Sequence, residues 1–204
     1  MKINRLLVCG LLLAWTMPAL AQSHTTQNEV ISTIMQRRSV RKYQASPVEH
    51  AKLELIARCG INAPNGMNRQ PWEVRIVESE EWINGVTAEF VKKNGEAAQR
   101  DPNFKNMFRN APNLIVIATP ANQGLIEAGL MGENMILAAQ SLGLGTCCLG
   151  GPVQFVKNDA SARPYLQKLE IPDGYEIAYM IAVGYPDEQP EAKPRDFSKV
   201  KFIK

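Results

Sequence analysis

Arg37-Arg38-Ser39-Val40-Arg41 packs three guanidiniums and a hydroxyl into five residues, at the point where an amphipathic run from Val30 to Met35 stops. Arginine presents a planar fork of donors that matches phosphate oxygens in pairs, and a serine hydroxyl adds another donor. In an extended segment alternate residues project to one side, so Arg37, Ser39 and Arg41 would face one ligand. A short basic run taken alone is more often a solvated surface. Which reading holds depends on what precedes and follows the stretch.

Upstream, Lys2 and Arg5 precede an apolar run from Leu6 to Trp15, and Ala19-Leu20-Ala21 supplies the small residues of a cleavage site before Gln22. This pattern predicts an export signal over residues 1–21, cleaved after Ala21, and a periplasmic mature protein. A membrane anchor fits less well, because the run is short, Pro18 interrupts it and no stop-transfer pattern follows. Val8 before Cys9 and the short upstream segment argue against a lipoprotein. The basic region has no paired arginines, which speaks against export of a folded, loaded protein and places cofactor acquisition outside the cytoplasm. Residues 22–27 read as a polar leader, and Glu29 to Gln36 as a helix with Val30, Ile31, Ile34 and Met35 on one face.

The 204 residues, 45% apolar and 21% charged, suit one globular domain over residues 22–204. Removing residues 1–21 leaves 21 basic against 20 acidic residues, a net charge of +1. With no basic excess and no reading module, nucleic acid is not a favoured partner. Cys59, Cys147 and Cys148 lack zinc spacing, and adjacent cysteines seldom bridge, so all three are expected to be small buried residues.

Downstream, Ser46-Pro47-Val48-Glu49 reads as a capping box opening a helix that runs to about Cys59 and stops at Gly60. Asn62 to Pro71 is a loop dense in turn formers and amides, followed by a strand from Trp72 to Glu78. Glu80 to Lys93 reads as helix and Asn94 to Asn110 as a polar stretch without clear periodicity. Leu114 to Thr119 is a compact strand. Glu127 to Leu142 is apolar on most of its circumference, the pattern of a buried central helix, with Gly129 and Gly132 allowing close backbone approach and Gly143 and Gly145 ending it. Thr146 to Leu149 and Ile177 to Val183 complete the strands. Residues 185–204, rich in proline and charge, form an extended arm expected to lie across something else.

Three further groups have the chemistry of a flat, phosphate-bearing ligand. Asn65, Asn68 and Gln70 offer amides that donate and accept together, although asparagine in loops more often bonds its own backbone. Gly150-Gly151 leaves exposed backbone amides after a short strand, or forms an ordinary tight turn. Lys193-Pro194-Arg195 puts two cations on one side of an extended segment.

Their order, an R-R-S-x-R run, a P-x-x-x-N-x-Q-P-W loop, a G-L-G turn leading to Gly150-Gly151 and a late K-x-R, resembles the FMN-dependent nitroreductase family across Glu29 to Arg195. The resemblance implies an α+β fold, a central antiparallel or mixed sheet flanked by helices around a buried central helix, in an intertwined homodimer with FMN at the subunit interface. It implies that Arg37, Arg38, Ser39 and Arg41 hold the phosphate and ribityl chain together with Lys193 and Arg195. Pro64, Asn65, Gly66 and Asn68 of the partner subunit would border the ring, and Cys148, Leu149, Gly150 and Gly151 would bring a backbone amide to its reactive nitrogen. Gly150 replaces a glutamate common in bacterial members. Asn103, Lys105 and Asn106 fall where other members add a further flavin contact. The implied activity is two-electron reduction of nitroaromatics, quinones or related acceptors, with NAD(P)H as donor and no catalytic side chain, since the flavin carries the chemistry. The same scaffold also supports reductive dehalogenation, ene-reduction, or flavin binding without catalysis.

Overall fold

The computed structural model describes residues 28–204, so the expected signal and the leader through residue 27 lie outside it. Asn28 caps α1 (Glu29–Gln36) by accepting the Ile31 amide at 3.1 Å. The helix has the predicted bounds and buries none of its residues. Val30, Ile31, Ile34 and Met35 are exposed, because nothing in the described chain covers that face.

α2 (His50–Ile61) begins later than its sequence predicts, and the capping box does not form. Val48 is buried and donates its amide to Asn113 Oδ1 at 2.8 Å, which keeps residues 47–48 out of the helix, while Glu49, itself extended, takes the N-cap position without a side-chain cap bond. The helix also continues through Gly60, whose missing side chain makes room for Met135.

β1 (Glu73–Val77), β2 (Asn113–Pro120), β3 (Gly145–Leu149) and β4 (Tyr175–Gly184) form one sheet in the order β1-β2-β4-β3, every named pair antiparallel. A single parallel bridge, Ser39 to Thr146, adds the basic segment outside β3. β2 is buried along nearly its whole length, so its residues serve two cores by alternation. Ile115 and Ile117, with Ile181 and Val183 of β4, face α2 and α4 (Leu125–Ser141). Leu114 and Val116, with Met180 and Ala182, face the other side, where α3 (Glu80–Gln99) contributes Trp82 and Val86 and α5 (Gly151–Asn158) contributes Val153 and Val156. Each such fully buried aliphatic side chain contributes roughly 1.5–3 kcal/mol. α3 runs past its predicted end, bending at Asn94, and a short α6 (Arg163–Gln167) precedes β4.

α4 is the expected central helix. Ala128, Met131, Gly132, Met135 and Ala139 are buried against the sheet and α2, while Leu125, Ile126, Gly129, Leu130 and Glu133 stay exposed. It ends at Gly143 (φ 76°), where the Leu144 amide returns to the Ala139 carbonyl and Gly143 to Gln140.

From Tyr185 the chain is extended and lies against residues 41–44. Gln44 donates to the Tyr185 carbonyl, Asp187 to the Lys42 carbonyl, and the Arg41 amide to a Glu188 carboxylate oxygen. Beyond Glu188 the arm carries Phe197, Phe202 and Ile203 fully in the open, the last 93% exposed. No helix among the described residues is long and apolar enough to cross a membrane.

Candidate functional site

The basic run leaves α1 at Arg37, whose backbone is already extended (φ −54°, ψ 136°). Val40 then enters the core and its amide bonds to the Thr146 carbonyl at 2.9 Å, with Ser39 in the bridge to Thr146. Burial of Val40 directs its neighbours Ser39 and Arg41 to the opposite side, as the alternation predicts. The arginines differ in what they touch. Arg38 turns back and donates to the carbonyls of Met35 (2.8 Å) and Arg37 (2.7 Å), closing the C-terminal end of α1. Arg41 donates to the Ser39 carbonyl at 3.0 Å. Arg37 reaches another element, with Nε 3.7 Å from a carboxylate oxygen of Glu133 on α4.

Docking Ser39 on Thr146 also brings Arg37 to the end of β3. Cys148 keeps exposed surface there, but the protein atoms crowded round its thiol push its pKa up, Cys147 and Glu133 add to the effect, and Arg37 opposes it. Cys147, one residue earlier, points into the opposite core and is buried. The pair therefore sits on two faces of the sheet, and of the three cysteines only Cys147 is a buried residue, since Cys59 is half-buried. Tyr179 completes this corner. Its hydroxyl donates to the Ala128 carbonyl at 2.6 Å, and burial raises its pKa with smaller contributions from Cys148 and Glu133.

β3 ends by turning into α5 through Leu149, Gly150 and Gly151. The Leu149 side chain is in the core, so only its backbone is available. Gly150 is the N-cap of α5 at φ −100°, and no atom of the chain lies within 4 Å of a methyl placed on Gly150 or Gly151. Neither glycine is required by the chain's own packing. The turn leaves an open surface with unbonded helix amides, the kind of backbone a flat anionic ligand can approach.

The Asn62–Pro71 loop takes its shape from inside. Asn65 Oδ1 accepts the Gln70 amide at 2.8 Å and Asn65 Nδ2 donates to Ala63, which is the backbone-bonding reading of that asparagine. Met67, Asn68 and Gln70 adopt left-handed φ values of 53°, 53° and 49°. Pro64, Gly66 and Asn68 are exposed. The loop ends where the Pro71 carbonyl lies against Gly124, nine residues before Glu133 and so about 14 Å along the helix direction. Among the described contacts none joins this loop to Arg37, Ser39 or Arg41 of the same chain. No described contact joins Lys193 or Arg195 to them either: Arg195 donates to the Lys193 carbonyl, five residues beyond the last tie of the arm. Asn106 is engaged at both ends, donating to Ala111 and accepting from Phe108, and Asn110 organises residues 103–106, so this polar stretch is a self-bonded structural loop.

A cavity of 520 Å³ opens between α1, the end of α2 and α4, walled by Val30, Cys59, Asn62, Asn134 and Leu137 among others. None of its walls is a predicted flavin ligand. The cations, the glycine turn and the amide loop lie instead on open surface. Glu133 is the residue the sequence reading passed over. The available signal was a carboxylate in the middle of a largely apolar helix, well past the first turn where Glu127 suits the helix end.

The α+β layers place cations at the sheet edge beside an open glycine turn, which gathers there the donors that a flat, phosphate-bearing group requires. Residues 34–185 match the nitroreductase family, and the chain belongs to it. It is 28% identical to an NADPH-flavin oxidoreductase of Vibrio harveyi over 176 residues, covering 82% of this chain and 70% of that one. An FMN reductase [NAD(P)H] of Bacillus subtilis is 26% identical over 188 residues, with 82% and 70% covered. The structure of a nitroreductase with bound FMN from Bacteroides fragilis superposes with a TM-score of 0.72 at 26% identity, covering 87% of this chain and all of that one.

Proposed function

We propose that this chain is an FMN-dependent, NAD(P)H-linked oxidoreductase that acts as a homodimer on flat, electron-poor acceptors such as nitroaromatics and quinones. The observation that carries the reading is the docking of Ser39 on Thr146, which joins the basic run to β3, the strand that opens into Gly150-Gly151, with Arg37 in electrostatic reach of Cys148. Two motifs far apart in sequence thereby share one corner. FMN, when bound, would supply the chemistry of two-electron hydride transfer between a nicotinamide and the acceptor. Arg37, Ser39 and Arg41 would hold the phosphate end, with Lys193 and Arg195 closing on it from the arm. The Gly150 and Gly151 backbone would lie towards the ring. Asn68, whose amide is exposed, approaches from the partner subunit's copy of the Asn62–Pro71 loop. Arg38 reaches the ligand only by releasing the α1 carbonyls.

The homodimer rests on the uncovered apolar surface of α1, of Leu125, Ile126 and Leu130 on α4, and of the arm. Gly129 lies on the same face with no atom of its own chain near a methyl placed there, which leaves room for another backbone. Export and a periplasmic location rest on residues 1–21 alone. Cell fractionation with sequencing of the mature N-terminus tests them, Gln22 being the expected first residue.

The absorption spectrum of the purified protein tests the cofactor directly. The expected result is a flavin spectrum, present on isolation or retained after incubation with FMN and desalting, which Arg37→Ala with Arg41→Ala abolishes while the fold persists. Protein that stays colourless after that incubation overturns the reading. Steady-state assay against a panel of nitro, quinone, halogenated and enone acceptors then separates the reactions the scaffold supports.

A further inference from the structure

Glu133 stands on the exposed side of α4 between Leu130 and Leu137, and its carboxylate lies 3.7 Å from Arg37 Nε, the two side chains 51% and 26% exposed. The side chains of Arg38 and Arg41 hydrogen-bond only locally among the described residues, to carbonyls of their own segment. Arg37 is tied across to a different element, and the tie uses the Nε edge. Its two terminal nitrogens make no hydrogen bond among the described residues. α1, from which Arg37 departs, buries nothing and is a poor platform. α4 is a good one, with Met131, Met135 and Ala139 fully buried. Among the described residues Glu133 makes no second salt bridge.

We propose that Glu133 is a positioning residue that presents the Arg37 fork to the phosphate of FMN. The inference rests on the FMN reading above and adds a residue to it. An unpaired arginine samples many rotamers and loses them on binding, whereas one fixed at Nε keeps both terminal nitrogens for a two-bonded contact with phosphate. The carboxylate also repels the incoming dianion. At this exposed corner water and salt weaken that repulsion, so orientation outweighs it.

The test titrates flavin-free full-length protein with FMN and with riboflavin, which lacks the phosphate, following flavin fluorescence. Glu133→Gln keeps the shape of the side chain and removes its charge. It should raise the Kd for FMN about fivefold, the scale of an exposed ion pair, leave the Kd for riboflavin unchanged, and add nothing in an Arg37→Ala background. Equal or tighter FMN binding by Glu133→Gln overturns the proposal. So does equal weakening of both flavins, or an effect that persists without Arg37, because either would mark a general structural role. If the unaltered protein binds neither flavin, the FMN reading itself has failed, an outcome distinct from normal FMN binding that Glu133→Gln does not change.

Discussion

A methyl group placed on Gly132 would collide with the Tyr179 hydroxyl, whereas one placed on Gly150 would meet nothing within 4 Å. Gly132→Ala should therefore destabilise the protein by about 1–3 kcal/mol through overpacking. Adding Tyr179→Phe removes the obstructing oxygen and should recover part of that loss in urea unfolding, the ring carbon beneath it and the lost bond to the Ala128 carbonyl keeping the rest. Gly150→Ala should leave the unfolding midpoint within about 0.5 kcal/mol of the unaltered protein and still weaken FMN binding, because the added methyl stands on the open face. A large stability loss for Gly150→Ala would mean the glycine serves the chain's own packing. The candidate cations were legible in the sequence because guanidiniums declare their chemistry wherever they stand. Glu133 was not, since its partner lies 96 positions away and only folding brings Arg37 to it. Asn65 misled in the other direction: an amide suited to a heterocycle is equally suited to closing its own loop, and its bonds to Gln70 and Ala63 show which use the chain makes of it.

At the level of elements, α1, β2, β4 and the core of α4 stand close to where periodicity puts them, because each carries an unbroken apolar pattern. The start of α2 does not. There a local rule favouring Ser46 as cap met a tertiary one, burial of Val48 and its bond to Asn113, and the tertiary contact won. The polar stretch after Lys93 was unreadable for a related reason. Its order comes from asparagine side chains bonding backbone, which leaves no periodic trace. Between α5 and α6, Asp159 accepts from Ser161 and receives both bonds of Lys93 at 2.7 and 2.8 Å, tying α3 to this turn. The Lys93 bond, with those of Ser161, lowers the Asp159 pKa to about 2. A carboxylate depressed in the folded state stabilises fully above its unfolded pKa of about 3.9 and loses that contribution as pH falls from there towards about 2. Asp159→Asn should lower the urea midpoint at pH 6 and make it less sensitive to acid between pH 4 and 2. An unchanged acid limb would remove Asp159 from that role.

For the molecule as a whole, the two cores account for the sheet and for one side of α4, yet leave α1, the outer side of α4 and the arm tip apolar and uncovered, Ile126 at 78% exposure among them. Charge introduced there should separate the subunits of the proposed homodimer while sparing each fold: Ile126→Glu with Leu130→Glu is expected to sediment as a monomer, keep its circular dichroism and lose FMN. A dimer that persists in this variant would place the interface elsewhere. The Arg41 amide and Glu188 carboxylate are joined across 147 positions of chain, and that span governs when the basic segment can settle. Contacts so distant in sequence form only after the intervening chain has been closed into a loop. A refolding chain can lay α2 on α4 and pair β1 with β2 while residues 41–44 still wait for the arm to return. A chain cut short after Gly184 would then carry all four strands and the Arg37 contacts yet lack the tie on the Arg41 backbone, so the segment between Arg41 and Gln44 would be the last part of the molecule to settle.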